Sequence, residues 1–406
     1  MAQTAVVITG MGATTPLGGT VPELWDGMLA LRSGVRSLRG EGFDALPVHI
    51  AATLAVEPES AMPPVQARRL DRSQQAAVIA AREAWADAGL PDVDGDRLAV
   101  VIGTGIGGVL TLLGQDDVLE RSGPRRVSPR TVPMLMANAA AAQVSIEFGA
   151  RAAACAPTSA CASGAEALVQ AARLIECGEA DIVIAGGAEA AITPLTIAGF
   201  AQIGALSKDP GNPEAASRPF DVNRTGFVLG EGAGIVILER ADHARARGAR
   251  IRAVLAGYGV TADAFHITGT DPEGVGQIKA IRKALVKAGL APADVQHVNA
   301  HATATTVGDV SEALAVREAL GEHVAVTAPK GALGHLVGAA GAVEAILTAL
   351  TLESGVIPAT RNLEKLDPAI DIDVVTDAPR QARVEAAVSN SFGFGGHNVS
   401  LLLTRP

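Results

Sequence analysis

Twice along this chain, short apolar runs alternate with longer segments of helical period, and each series closes on a pair of apolar runs. In the first half the runs are residues 5–9, 98–102, 152–156, 181–185 and 232–239, with helical segments 21–31, 65–88, 131–148 and 165–175. In the second half the runs are 251–258, 295–300, 324–327, 386–390 and 397–403, with helical segments 275–288, 311–320 and 337–352. Continuous apolar runs mark strands buried on both faces, and the 3.6-residue period marks the helices that cover them. Gly226-Phe227-Val228-Leu229-Gly230-Glu231-Gly232 opens the last strand of the first half, and Phe392-Gly393-Phe394-Gly395-Gly396 echoes it before the last strand of the second. The pattern predicts a duplicated α/β unit, divided as residues 1–245 and 246–406. Functional groups in such sheets gather at the carboxyl ends of strands, here where the halves meet.

Between these elements, residues 33–64 and 207–225 read as loops and the charged stretch 116–130 as an exposed excursion. Gly10-Met11-Gly12 follows the first strand but lacks a third glycine in register, so it reads as a structural turn and not a dinucleotide loop. With 406 residues, 48% hydrophobic and 19% charged, the chain can bury a large core. The net charge of −10 leaves no basic excess for a general nucleic-acid binder. Three cysteines, Cys155, Cys161 and Cys177, make no disulfide framework and fit a reducing compartment. The first ten residues carry no basic leader and run straight into a strand. No membrane span is expected either, and a cytoplasmic location is.

The chemistry concentrates at three strand-to-turn junctions. Pro157-Thr158-Ser159-Ala160-Cys161-Ala162-Ser163-Gly164 lies between run 152–156 and helix 165–175. Cys161 then sits beside a helix N-terminus, whose free N–H groups and positive dipole end favour a thiolate. Its small neighbours leave a path for substrate, although a small core cysteine would read the same way. His301 follows strand 295–300, and His335 lies in Lys330-Gly331-Ala332-Leu333-Gly334-His335. A lone histidine so placed is most often structural. Two of them with a cysteine make a nucleophile with two acid–base or electrostatic partners. His49, His243, His266, His297 and His323 have no such setting, and the spacing is not that of a local zinc site.

Taken together, the cysteine turn, Asn299-Ala300-His301-Ala302-Thr303-Ala304-Thr305, the Lys330 to Gly341 segment and Asn390-Ser391-Phe392-Gly393-Phe394-Gly395-Gly396 resemble the β-ketoacyl-[acyl carrier protein] synthases. The match is to the elongating, Cys-His-His type and in motifs is nearest to actinobacterial members. Ala216-Ser217-Arg218-Pro219-Phe220-Asp221 and the Gly226 to Gly232 segment extend it over essentially the whole chain. Departures are Ala302, where the family often has Gly, Thr306, where it often has Pro, and His397, where many members have Thr. The resemblance implies the thiolase fold, with two duplicated α/β halves in a five-layered α-β-α-β-α core. It also implies a homodimer, or a heterodimer with a chain-length partner.

The activity so implied is fatty-acid elongation from acyl and malonyl phosphopantetheine thioesters on an acyl carrier protein. Cys161 would carry the acyl group, and His301 and His335 would stabilise the malonyl-derived enolate. Lys330 would hold the His335 region, supported by Glu344. The N–H groups of Cys161 and Phe394 would form the oxyanion hole, with Phe394 also a gate. Thr303, Thr305 and Phe392 would meet the pantetheine arm, Ile106 and Phe200 would line the acyl pocket, and Arg68 and Arg69 would dock the carrier. No organic cofactor or essential metal is implied, although some relatives hold a monovalent cation near the equivalents of Asn299, Glu344 and Asn390. A ketosynthase of a type II polyketide or other biosynthetic cluster is the alternative. A thiolase would want a second cysteine near the C-terminus, and none follows Cys177. A non-catalytic chain-length subunit would lack Cys161.

Overall fold

The computed structural model describes residues 4–40, 42–90, 93–208 and 211–406. The first half runs β1 (Val6–Thr14), α1 (Arg72–Ala88), β2 (Leu98–Gly103), α2 (Ala139–Phe148), β3 (Ala153–Cys155), α3 (Ser163–Glu176), β4 (Ile182–Glu189) and β5 (Gly232–Arg240). The second runs β6 (Ala253–Ala262), α4 (Val275–Ala288), β7 (His297–Asn299), α5 (Thr306–Leu320), β8 (Ala325–Thr327), α6 (Ala340–Ser354), β9 (Asp373–Val374), β10 (Ala386–Gly393) and β11 (His397–Thr404). Strand order is β3-β2-β4-β5-β1 in one half and β9-β8-β7-β10-β11-β6 in the other. In the first, β1–β5 and β5–β4 are antiparallel and β4–β2 and β2–β3 parallel. In the second, β6–β11 and β11–β10 are antiparallel and β10–β7 and β7–β8 parallel. Order and direction therefore repeat, with β9 an added edge. A short ladder between β1 and β6, Val7 opposite Val254 and Ile8 opposite Ala253, joins the two sheets.

Alternating side chains of each strand feed two different cores. Along β5, Ala233, Ile235 and Ile237 face the core under α1 and α2, while Val236 and Leu238 face the centre. Along β10, Ala387 faces the centre and Val388 the core under α4 and α5. Helices α3 and α6 lie between the two sheets, so the layers are helix, sheet, helix, sheet, helix. Small residues let the middle layer close up. A Cβ on Gly164 would come within 2.8 Å of Gly338 O, and one on Gly341 within 2.8 Å of Ala165 N. The stretch Val337–Ser354 is long and apolar enough to cross a bilayer by composition, but it is 89% buried in this middle layer.

Several boundaries differ from the sequence reading. The expected helix 65–88 is broken: a turn at Pro64–Ala67 ends before Arg68, and α1 begins after Asp71. Asp71 Oδ1 accepts from Ser73 N at 3.0 Å, and Oδ2 accepts from Thr111 N at 3.0 Å, so one buried carboxylate caps α1 and ties down a second helix start. That second helix, Val109–Ser122, occupies part of the expected excursion. The expected helix 131–148 is interrupted between Leu135 and Ala139, where Gln74 Nε2 takes the Met134 carbonyl at 2.6 Å. In each case a tertiary partner satisfies the backbone groups that the break frees. The run 152–156 was expected to be buried. It yields only β3, an edge strand with Ala154 and Cys155 exposed, because no strand among the described residues pairs with its outer side.

Candidate active site

Cys161 lies in a single 3-10 turn, Ala160–Ala162, directly before α3. The residue before it is strained: Ala160 has φ +49°, a region that disfavours a Cβ. Ser163 holds that elbow, its hydroxyl donating to Ala160 O at 2.6 Å and accepting from Ser159 N at 2.8 Å. Gly393 lies so close to the turn that a Cβ there would stand 2.8 Å from Ser159 O. The second half thus presses its Gly-Phe-Gly turn onto the nucleophile of the first.

His301 follows β7, and its loop is gripped from the helix it leads into. Glu312 accepts from His301 N at 2.9 Å and Ala302 N at 2.6 Å. Asp309 accepts from Ala304 N at 3.1 Å and, across the halves, from Phe220 N at 2.7 Å. Both carboxylates are buried on α5. Burial pushes Asp309 up to about 7 and raises Glu312, while the hydrogen bonds that each accepts oppose the shift. Lys330, 1% exposed, stands behind His301 with Nζ 3.3 Å from Nδ1, and it pairs with Glu344. An ammonium only donates, so Nδ1 must accept and Nε2 carries the ring proton. Burial pushes Glu344 up to about 7, against the pull of the Lys330 charge.

His335 is 2% exposed, and neither ring nitrogen has a partner among the described residues. Its backbone is fixed by His335 N to Val228 O at 2.7 Å and by Gly230 N to His335 O at 2.8 Å. The His301 and His335 rings meet edge to face, centroids 5.4 Å apart, with Phe392 edge-on to His301 and Phe227 edge-on to His335. Burial holds both imidazolium forms well below the usual histidine range, and the Lys330 charge adds to it. Both rings are therefore neutral near pH 7, each with one N–H to give.

The cysteine differs from expectation. Burial pushes its thiol up to about 11, opposed by the Lys330 charge and the N–H groups of Phe394 and Cys161, and reinforced by the Glu189 charge. A helix start contributes about 0.3–2 kcal/mol, or at most about 1.5 pKa units at about 1.36 kcal/mol per unit. Although Cys161 is only half-buried, the balance of these effects favours the thiol over the thiolate at neutral pH.

Cys161, His301 and His335 line one pocket of about 240 Å³. Thr303, Thr305, Phe200, Phe392 and Phe394 line it too, with the two threonine hydroxyls 3.1 Å apart. Ile106 does not: it is 41% exposed and off this wall. Gly105 turns inward to Glu189 and Gly108 N bonds Leu135 O, which leaves the Ile106 side chain outside. Arg68 and Arg69 are exposed in the link between the Pro64–Ala67 turn and α1, so they do not open a helix as expected. Asn299 Oδ1 and Glu344 Oε2 are buried without hydrogen-bond partners among the described residues, oxygen donors suited to a hard cation. Asn390 is less free, accepting from Ser400 at 2.8 Å and donating to Glu312 at 3.1 Å. The sequence reading missed Glu312, Asp309, Ser163 and Glu189. An acidic pair three apart on an Ala-rich helix signals Asp309 and Glu312, and a carboxylate ending an apolar strand signals Glu189; Ser163 has no signal beyond its place in the cysteine turn.

A cysteine at a helix start, two neutral imidazoles and a shared pocket at the junction of a duplicated five-layered α/β fold define a thiolase-fold acyltransferase. The model for the N-terminal domain of β-ketoacyl synthases matches residues 3–244, and that for the C-terminal domain residues 252–364. The chain belongs to the β-ketoacyl synthase family. It is 47% identical to 3-oxoacyl-[acyl-carrier-protein] synthase 2 of Mycobacterium tuberculosis (strain ATCC 25618 / H37Rv), covering 98% of this chain and 97% of that one. It is 43% identical to the protein of the same name in Staphylococcus aureus (strain N315), covering 98% of each. Among solved structures it resembles the type II polyketide ketosynthase AntDE, bound to its acyl-carrier protein AntF, with TM-score 0.92, 30% identity and full coverage of both chains.

Proposed function

We propose that this protein is a 3-oxoacyl-[acyl carrier protein] synthase of fatty-acid elongation. In the first step Cys161 Sγ attacks an acyl thioester on the carrier. The carbonyl oxygen is received by the N–H groups of Cys161 and Phe394, and the thiol proton ends on the departing pantetheine sulfur. In the second, malonyl-carrier protein enters along Thr303, Thr305 and Phe392, with Phe394 as the gate. His301 Nε2–H and an N–H of His335 hold its thioester oxygen. As CO2 leaves, the electron pair moves onto that oxygen, and the enolate carbon then attacks the acyl-cysteine. Sγ leaves and takes a proton from solvent, and the chain is longer by two carbons. Phe200 lines the acyl side of the pocket, and Lys330 with Glu344 fixes the His301 tautomer.

The observation that carries this reading is the pair of neutral histidines edge to face at 5.4 Å above the pocket that Cys161 lines. Neutral N–H groups placed where charge develops stabilise an enolate without reorganisation. Purified protein given malonyl-carrier protein and acyl primers of graded length should release CO2 and 3-oxoacyl products two carbons longer, read by mass spectrometry. Absence of condensation with every primer would overturn it. The likeness to AntDE favours a second reading, a polyketide ketosynthase. In the same assay this would appear as repeated extension without reduction.

The partner is an acyl carrier protein, as the AntDE complex supports, docked at the exposed Arg68 and Arg69. A homodimer is supported by the open edge of β3 and by the apolar side chains of Ile106, Leu112, Val132 and Met136, each more than 40% exposed. A monovalent cation held by Asn299 and Glu344 would be structural. The division at residues 245 and 246 is supported by the family models, which leave off and resume between 244 and 252. A cytoplasmic location agrees with the carrier-borne substrates.

A further inference from the structure

Glu189, the last residue of β4, is fully buried and has no part in the steps above. Its Oε2 accepts from Gly105 N at 2.6 Å and Gly338 N at 3.1 Å, and its Oε1 from Thr104 Oγ1 at 3.2 Å. Gly105 and Thr104 follow β2 of the first half. Gly338 belongs to the turn Val337–Ala339, three residues beyond His335 in the second. One carboxylate therefore fastens the two halves together beneath the pocket. The fit is tight: a Cβ on Gly105 would stand 2.7 Å from Oε2, and one on Gly338 2.8 Å from the same oxygen and 2.4 Å from Gly105 N. Next to Gly338, Val337 lines the pocket with φ +48°, an unfavourable conformation for a β-branched residue that its surroundings must enforce.

We propose that Glu189 is a positioning residue, which locks the His335–Val337 turn against the Cys161 side of the pocket. The donors it gathers come from both halves, so one buried side chain fixes how the two walls of the pocket meet. The proposal rests on the condensation reading, and the wild-type protein in the same assay separates the two.

Condensation is compared in the intact protein for wild type, Glu189→Gln and Glu189→Ala. Glutamine can keep the glycine N–H groups on its carbonyl. Glu189→Ala loses the bridge, and condensation should drop on the order of tenfold to a hundredfold. The Gln variant should recover most of that loss. Condensation by a folded Ala variant at the wild-type rate, or no recovery in the Gln variant, would overturn the proposal. If the Ala variant does not fold, Glu189→Asp, one methylene too short to hold both glycines, takes its place, and condensation by it at the wild-type rate would overturn the proposal. A wild-type protein that does not condense at all would overturn the functional reading instead.

Discussion

Raising the pH should switch on the chemical reactivity of Cys161 late. Burial places its thiol at about 11, and a helix start can return at most about 1.5 units of that. The midpoint then lies well above neutral pH, and the thiolate is a small minority at pH 7. Only the thiolate reacts with iodoacetamide, so the rate should climb about tenfold per pH unit from 7 to 9 without a plateau. The assay is brief alkylation at each pH, quenching, and peptide mass spectrometry of the Cys161 peptide. The exposed Cys177 serves as the reference thiol in the same digest. A plateau reached by pH 8 would show that the helix start and Lys330 outweigh burial, and would refute the resting-thiol argument. Acylation by a carrier thioester should be far less steep in pH, because the departing sulfur takes up the proton.

Separate roles for the cysteine and the histidines predict separable defects. Cys161→Gln should lose condensation yet still decarboxylate malonyl-carrier protein. His335→Ala should still take up a labelled acyl group while decarboxylation falls about 10²–10³-fold. Acyl labelling beside CO2 release in the same preparations decides it. His297 is buried with both ring nitrogens unpartnered among the described residues, and burial lowers it to about 3. The unfolded chain binds that proton below about 6.5 and the folded chain does not, so its stability contribution is present above pH 6.5 and is lost as pH falls toward 3. His297→Leu should therefore gain about 2 kcal/mol at pH 5 relative to its effect at pH 7.5, measured by urea unfolding. Charge reversal at Arg68 and Arg69 should raise KM for the carrier substrate at low salt, with the effect shrinking as salt rises. An unchanged KM at low salt would move the dock elsewhere.

Local pattern by itself determined much of this protein. The alternation of apolar runs and helical segments is a property of neighbouring residues, and it led to the repeated strand order. Cys161, His301 and His335 were legible for a related reason. Each follows an apolar run and stands among small residues, and strand ends are where a sheet opens to ligand. The breaks before α1 and α2 were not legible. They depend on Asp71 bonding Thr111 and on Gln74 reaching Met134, 40 and 60 residues away.

What only the tertiary structure decided is the state of charge and the mutual placement of the reacting groups. The position of Cys161 beside a helix start argued for a thiolate, but desolvation, which depends on everything packed around the sulfur, carries the thiol the other way. The His301 tautomer follows from Lys330, and the bond from Glu189 to Gly338 spans 149 residues. Ile106 left the pocket because of how Gly105 and Gly108 are anchored by distant partners. Periodicity is written residue by residue along the chain. Burial and electrostatic fields are summed over atoms that the chain brings together only when it folds.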